Sequence, residues 1–148
     1  MLGDCKNESL NADGQAPPGW LFNGMVAPFV NMTVGGHLWY QGENNCGGTM
    51  GNSAAKIGYG CQLPAMVAEW RRLWSATAGT TDPLAPFGVV SLAAGGSEGH
   101  PDNMAGMRWS QTANFGELPN PALPGGFLAH ACEYQYIHRF VCPCQNYV

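Results

Sequence analysis

An α/β fold, with a parallel sheet joined by crossover helices, is the class this sequence predicts, and three observations carry it. Apolar residues recur at helical spacing in two stretches, 21–30 and 63–74. Short apolar runs at 34–40, 87–94 and 127–131 alternate with them. The resulting order of helix, strand, helix, strand, helix, strand is the pattern that parallel strands with crossover helices produce. A doubly wound domain normally opens with a strand. None is visible before the first helix, so the order predicts an interior piece of a larger domain.

Each element has its own justification. Residues 1–19 are polar and rich in Gly and Pro, and they read as a linker ending at Ala16-Pro17-Pro18-Gly19. Leu21, Phe22, Met25, Val26, Phe29 and Val30 fall on one helical face, with Pro28 distorting the last turn. Val34–Tyr40 is a short buried strand that Gly35-Gly36 delays. Residues 42–60 read as a long Gly/Asn-rich loop. Leu63, Met66, Val67, Trp70, Leu73 and Trp74 then define the clearest helix, with Pro64 in its first turn and Gly79 as a stop. Its tryptophans, Trp70 and Trp74, are expected in the core and at its edge. Phe87–Ala94 is a strand closed by Gly95-Gly96, a weaker helix covers about 105–116, and Phe127–Ala131 is a third strand.

The 148 residues suit one domain able to bury a core, and 45% hydrophobic with 11% charged content is globular. A formal charge of −4 with six Lys and Arg argues against nucleic acid as a partner, since the only local basic pair is Arg71–Arg72. No apolar run approaches the roughly 18 residues of a membrane span. The first residues, Met1 to Asn7, lack the apolar region of a signal peptide. The sequons Asn7-Glu8-Ser9 and Asn31-Met32-Thr33 matter only on a secretory route, and six cysteines are compatible with an oxidising compartment.

The polar stretch after Trp39-Tyr40 draws attention because ligands of open parallel sheets bind beyond the carboxyl ends of strands. Gln41 brings two N–H donors to that place and can stabilise a developing oxyanion. Gly42 permits close backbone approach, and Glu43 can accept hydrogen bonds from substrate hydroxyls. By residue type alone, a solvated turn is the alternative.

The stretch "LFNGMVAPFVNMTVGGHLWYQGENN" (21–45) resembles the sialate O-acetylesterases of the SGNH hydrolase superfamily. Asn23, Met25 and Pro28 match the family's Asn-x-Met-x-x-Pro helix. "WYQGENN" matches its Trp-Tyr-Gln-Gly-Glu-Ser-Asn strand end, with Asn44 in place of serine. "LPAMVAEWRRLW" (63–74), "PFGVVSLA" (86–93) and "MRWSQTANFGELPNPALPGGF" (107–127) are similar to the segments that follow. The resemblance covers about 20–131. It implies a partial SGNH-type, flavodoxin-like sheet over 20–131 with a divergent tail at 132–148. It also implies a serine esterase that removes acetyl groups from sialic acid or related sugars, with no cofactor, in a secreted or lysosomal setting. Gln41 would be the oxyanion donor, and Gly42, Glu43 and Asn44 would contact substrate.

Two parts of the family pattern are missing. The family's nucleophile lies in an earlier Gly-Gln-Ser-Asn-like block, which is not found before Trp20. Its histidine lies in a late Asp…His-Pro motif. From Cys132 the sequence departs from the family, as a misframed or alternatively spliced end would, and Ile137-His138-Arg139 is only an echo of that motif. Nucleophile and catalytic histidine are therefore not identified. An active partial esterase and an inactive truncated product with weak sugar binding both remain open.

Other patterns compete. Gly95-Gly96-Ser97-Glu98-Gly99 fits a nucleophile elbow, with Asp102 and His130 or His138 following, but His100-Pro101-Asp102-Asn103 stands where a helix must begin at once. His130, Cys132, His138, Cys142 and Cys144 suggest zinc, yet the Cys-x-Cys spacing is too tight and unpaired tail cysteines fit better. Cys46 and Cys61 flank the Gly/Asn loop and either pair, closing about 16 residues, or stay free. Gly47-Gly48-Thr49-Met50-Gly51 lacks the ending of a phosphate loop.

Overall fold

Strands β1 (His37–Trp39), β2 (Phe87–Ser91) and β3 (Gly126–His130) form one parallel sheet in the order β1-β2-β3. The computed structural model describes residues 19–46, 53–93 and 104–131. Helices α1 (Trp20–Met25), α2 (Glu43–Cys46), α3 (Ser53–Trp74) and α4 (Met104–Gln111) complete it. The α/β class and the parallel pairing are as the sequence predicts, and the sheet is compatible with a partial SGNH-type fold. Among the described residues no helix is long and apolar enough to cross a membrane.

Period-2 alternation assigns the side chains to faces. His37 and Trp39 share one face with Phe87, Val89 and Leu128, their partners in register. Helix α3 covers that face. Trp70 lies 5.8 Å from Trp39 and 6.2 Å from Phe87, ring centre to ring centre. Trp74 is buried and meets His37 edge-on at 5.0 Å. Trp74 is thus a core residue and Trp70 lies at the core's edge. Met107 of α4 joins the same cluster with Tyr59, Leu63, Val67 and Leu123. Burying a side chain such as Phe87 fully contributes roughly 1.5–3 kcal/mol, so this face holds the fold together.

Several expectations need correction. The strand expected to be buried over 34–40 is limited to His37–Trp39, and Leu38 within it is exposed. The 42–60 loop instead contains α2 and the first turns of α3, which starts at Ser53 rather than Leu63. Ala54, Ala55 and Lys56 are strong helix formers, and Gly58 and Gly60 obscured them. Pro64 consequently lies inside α3, where it lacks the N–H that would reach back to Gly60. Gly60 lies under the Asn114 side chain, so that an added Cβ would make that exposed amide move aside. Helix α4 ends at Gln111 instead of 116, since Ala113 (φ 55°) and Asn114 (φ 65°) turn left-handed. The first helix stops at Met25, and Pro28 sits in a separate 3-10 turn over Ala27–Phe29. Its apolar face is open: Leu21, Met25 and Phe29 are all exposed.

Candidate functional site

Gln41 lies two residues past the end of β1, beyond the carboxyl end of a strand at one edge of the described sheet. Its backbone carbonyl accepts two hydrogen bonds, from Tyr59 Oη at 3.1 Å and from Gln111 Nε2 at 3.3 Å. Tyr59 Oη in turn accepts from Trp39 Nε1 at 2.9 Å. The fully buried Gln111 also donates to Val90 O at 2.9 Å, and its Oε1 accepts from Leu92 N at 3.2 Å. One side chain from α4 therefore ties the carboxyl ends of β1 and β2 together. Arg108 Nε adds a 2.6 Å bond to Leu92 O.

The side chain of Gln41 is oriented as well. Its Nε2 donates to Asn45 Oδ1 at 2.8 Å. A primary amide nitrogen carries two N–H groups, and this bond uses one of them. Gly42 is buried with φ 137°, a backbone region open essentially to glycine. A Cβ there would collide with Met107 Cε and lie 3.1 Å from Leu92 Cδ1. Glu43 opens α2, whose Asn45 N donates to Gly42 O at 3.0 Å. Gln41, Gly42 and Glu43 are thus brought together in one short turn. The side chain of Asn44 lies outside the described residues.

The remaining expectations fall differently. Ser97, Asp102, His138, Cys132, Cys142, Cys144 and the Gly47–Gly51 run lie outside the described residues. His130, at the end of β3, is exposed and pairs in register with Ser91. Among the described residues no three His, Cys, Asp or Glu side chains gather as a metal site. Cys61 is disulfide-bonded, and the side chain of its expected partner Cys46 is outside the description. Of the basic pair, Arg71 is buried and donates twice to Ala85 O, at 3.1 and 2.9 Å, while Arg72 pairs with Glu69 on the surface. Sequence reasoning missed Tyr59 and Gln111, and it placed Asn45 in the polar stretch without a role. The available signal for Gln111 was a glutamine four residues after the core residue Met107, on the inward side of α4.

No family model matches the chain. The chain is 39% identical over 126 residues to the sialate O-acetylesterase of Rattus norvegicus, a match covering 81% of this chain and 21% of the rat protein. The chain resembles a segment of the sialate O-acetylesterases. The human sialate O-acetylesterase is 38% identical over 115 residues, covering 76% of this chain and 21% of its own length. The mouse sialate O-acetylesterase is 35% identical over 149 residues, covering 90% and 26%. The chain therefore spans about a fifth to a quarter of the length of these relatives.

Proposed function

We propose that this chain carries the oxyanion-binding and substrate loop of a carbohydrate O-acetylesterase, acting on acetyl esters of sialic acid or a related sugar. The single observation behind the reading is the double clamp on Gln41, with its carbonyl held by Tyr59 and Gln111 and its amide by Asn45. Catalysis by electrostatic stabilisation needs donors fixed before charge develops, so that little reorganisation accompanies the reaction. An N–H of the Gln41 amide then donates to the acetyl carbonyl oxygen as it becomes the oxyanion. Gly42 keeps the backbone close to that oxygen, and Glu43 and Asn44 accept or donate hydrogen bonds at the sugar.

The attacking serine and its histidine base are assigned to no described residue. A second reading follows from the short span of the relatives that is matched: an inactive truncated product that binds sugar weakly. An acetyl-ester assay on the chain, and on a version extended by the sequence flanking it, separates the two. Under the esterase reading the extended version hydrolyses the ester, and Gln41→Ala lowers kcat by about 10²–10³-fold. An extended protein without activity, or one indifferent to Gln41→Ala, overturns it.

A further inference from the structure

We propose that the cleft at the amino end of the sheet, between α3 and the turns leading into β2 and β3, binds a small monocarboxylate with an apolar body, its carboxylate held by Arg71. The site lies at the end of the sheet opposite Gln41 and does not rest on the esterase reading. The cleft holds about 280 Å³, close to the roughly 300 Å³ at which small-molecule pockets begin. Pro64, Ala68, Arg71 and Ser75 line it from α3 and the residue just past its end. Their spacing of four, three and four residues puts them on one helical stripe. Leu84, Ala122 and Pro124 line it from the facing turns. Both turns are held in place. Ala85 N donates to Asp82 O at 2.9 Å, and Ala122 N and Leu123 N each donate to Asn120 Oδ1 at 3.0 Å. The walls are therefore set before a ligand arrives, which lowers the cost of ordering them.

Arg71 decides the charge of the ligand. It is only 6% exposed, and its Nε and Nη2 both donate to Ala85 O. A guanidinium carries five N–H donors in a planar fork, so three remain, two of them on Nη1. Among the described residues no carboxylate pairs with Arg71. The negative charge of Asp82 reaches it electrostatically, but Asp82 Oδ1 accepts from Leu84 N at 2.7 Å instead. Arg72, the other cation on the cleft, is already held at both ends of its fork by Glu69, at 2.7 and 2.6 Å. Buried charges are ordinarily paired, and the open end of the Arg71 fork matches the two oxygens of a carboxylate. Ser75, one helical turn further on, brings a hydroxyl donor to the same stripe. Most of the remaining lining is Pro, Ala, Val and Leu. The body of the ligand is therefore hydrocarbon, because a sugar or a phosphate dianion would bury polar groups there without partners.

The test titrates hexanoate into the isotopically labelled 148-residue chain and follows backbone amide shifts by NMR. We expect saturable binding with shifts centred on Ser75, Leu84 and Gly125. Gly125 reports on the guanidinium because a Cβ there would stand 3.5 Å from Arg71 Nη2. Hexanol, the same body without the charge, should bind roughly tenfold more weakly or worse, since hydrogen bonds to charged groups are the stronger ones. Arg71→Gln should abolish binding, but losing the bonds to Ala85 O can also unfold the chain. Leu84→Glu is therefore the decisive variant. The position is 62% exposed, so circular dichroism should show the fold kept. The added negative charge on the cleft should weaken hexanoate by about tenfold. Absence of saturation overturns the proposal, as do equal affinity for hexanol and shifts centred away from the cleft. Hexanoate binding indifferent to Leu84→Glu overturns it too.

Discussion

The two ends of the sheet treat their polar groups in opposite ways. At the carboxyl end, Gln41, Tyr59, Gln111 and Leu92 are linked in a hydrogen-bonded chain that joins β1, β2 and two helices. At the amino end, His37 sits in an aromatic nest, 5.6 Å from Trp70, 5.0 Å from Trp74 and 5.8 Å from Phe87, and neither buried ring nitrogen has a partner. Nearby Arg71 is buried against a backbone carbonyl rather than a carboxylate. Satisfied polar networks fix geometry, while unsatisfied polar groups leave a site sensitive to its charge state. The carboxyl end is therefore built for position, and the amino end for packing at some cost in pH tolerance.

The largest expected effect tests the first half of that contrast. Gln111→Ala removes three hydrogen bonds: Leu92 N and Val90 O lose this buried partner, while Gln41 O keeps its bond from Tyr59. At about 1–3 kcal/mol for each of these two buried groups, partly offset by relaxation or entering water, the loss should exceed roughly 2 kcal/mol. Urea denaturation measures it. A loss below 1 kcal/mol would mean that Gln111 does not hold the strand ends together.

Gly42→Ala should come next. Its φ of 137° is strained for any residue with a Cβ, and the new methyl meets Met107. Strain and overpacking each cost about 1–3 kcal/mol, and the turn bearing Gln41 has to shift to relieve them. The midpoint of thermal unfolding should fall, and Gly42→Ala should cost less in a Met107→Ala background than in the wild-type chain, because the clash is then absent even though Met107→Ala is itself destabilising.

Much of this was legible in the sequence, for identifiable reasons. The strands at Phe87 and Gly126 and the helix through Trp70 and Trp74 are periodic and locally punctuated, so their type follows from pattern. The start of α3 was not legible, because Gly58 and Gly60 mark a loop by propensity, whereas the structure carries both inside the helix. Placement of Gln41 beyond β1 was legible from the strand end. Its clamps were not, since Tyr59 and Gln111 lie 18 and 70 residues away and meet it only through tertiary packing.

Tyr59→Phe separates the network from the packing around it. The ring stays in the core, and only the hydroxyl between Trp39 Nε1 and Gln41 O is lost. About 1–2 kcal/mol of stability should go with it. In an active extended form, kcat should drop while KM stays near its starting value, because the change reaches the Gln41 donor rather than the sugar contacts.

At neutral pH the smallest effect belongs to His37, and its sign distinguishes the amino end from the carboxyl end. Burial, and secondarily the positive charge of Arg71, lower its pKa from the ordinary value of 6.5. The unfolded chain then binds a proton more readily than the folded one, so protonation favours unfolding. Stability attributable to His37 is level above pH 6.5 and declines as the pH falls from there toward the lowered folded value. His37→Phe keeps an aromatic ring against Trp70, Trp74 and Phe87 but cannot take up a proton. Denaturation midpoints at pH 8 should differ little between the two proteins, while at pH 5 the variant should be the more stable. If both lose stability equally between those values, His37 is not the group that titrates, and the amino end is as indifferent to charge as the hydrogen-bonded end opposite.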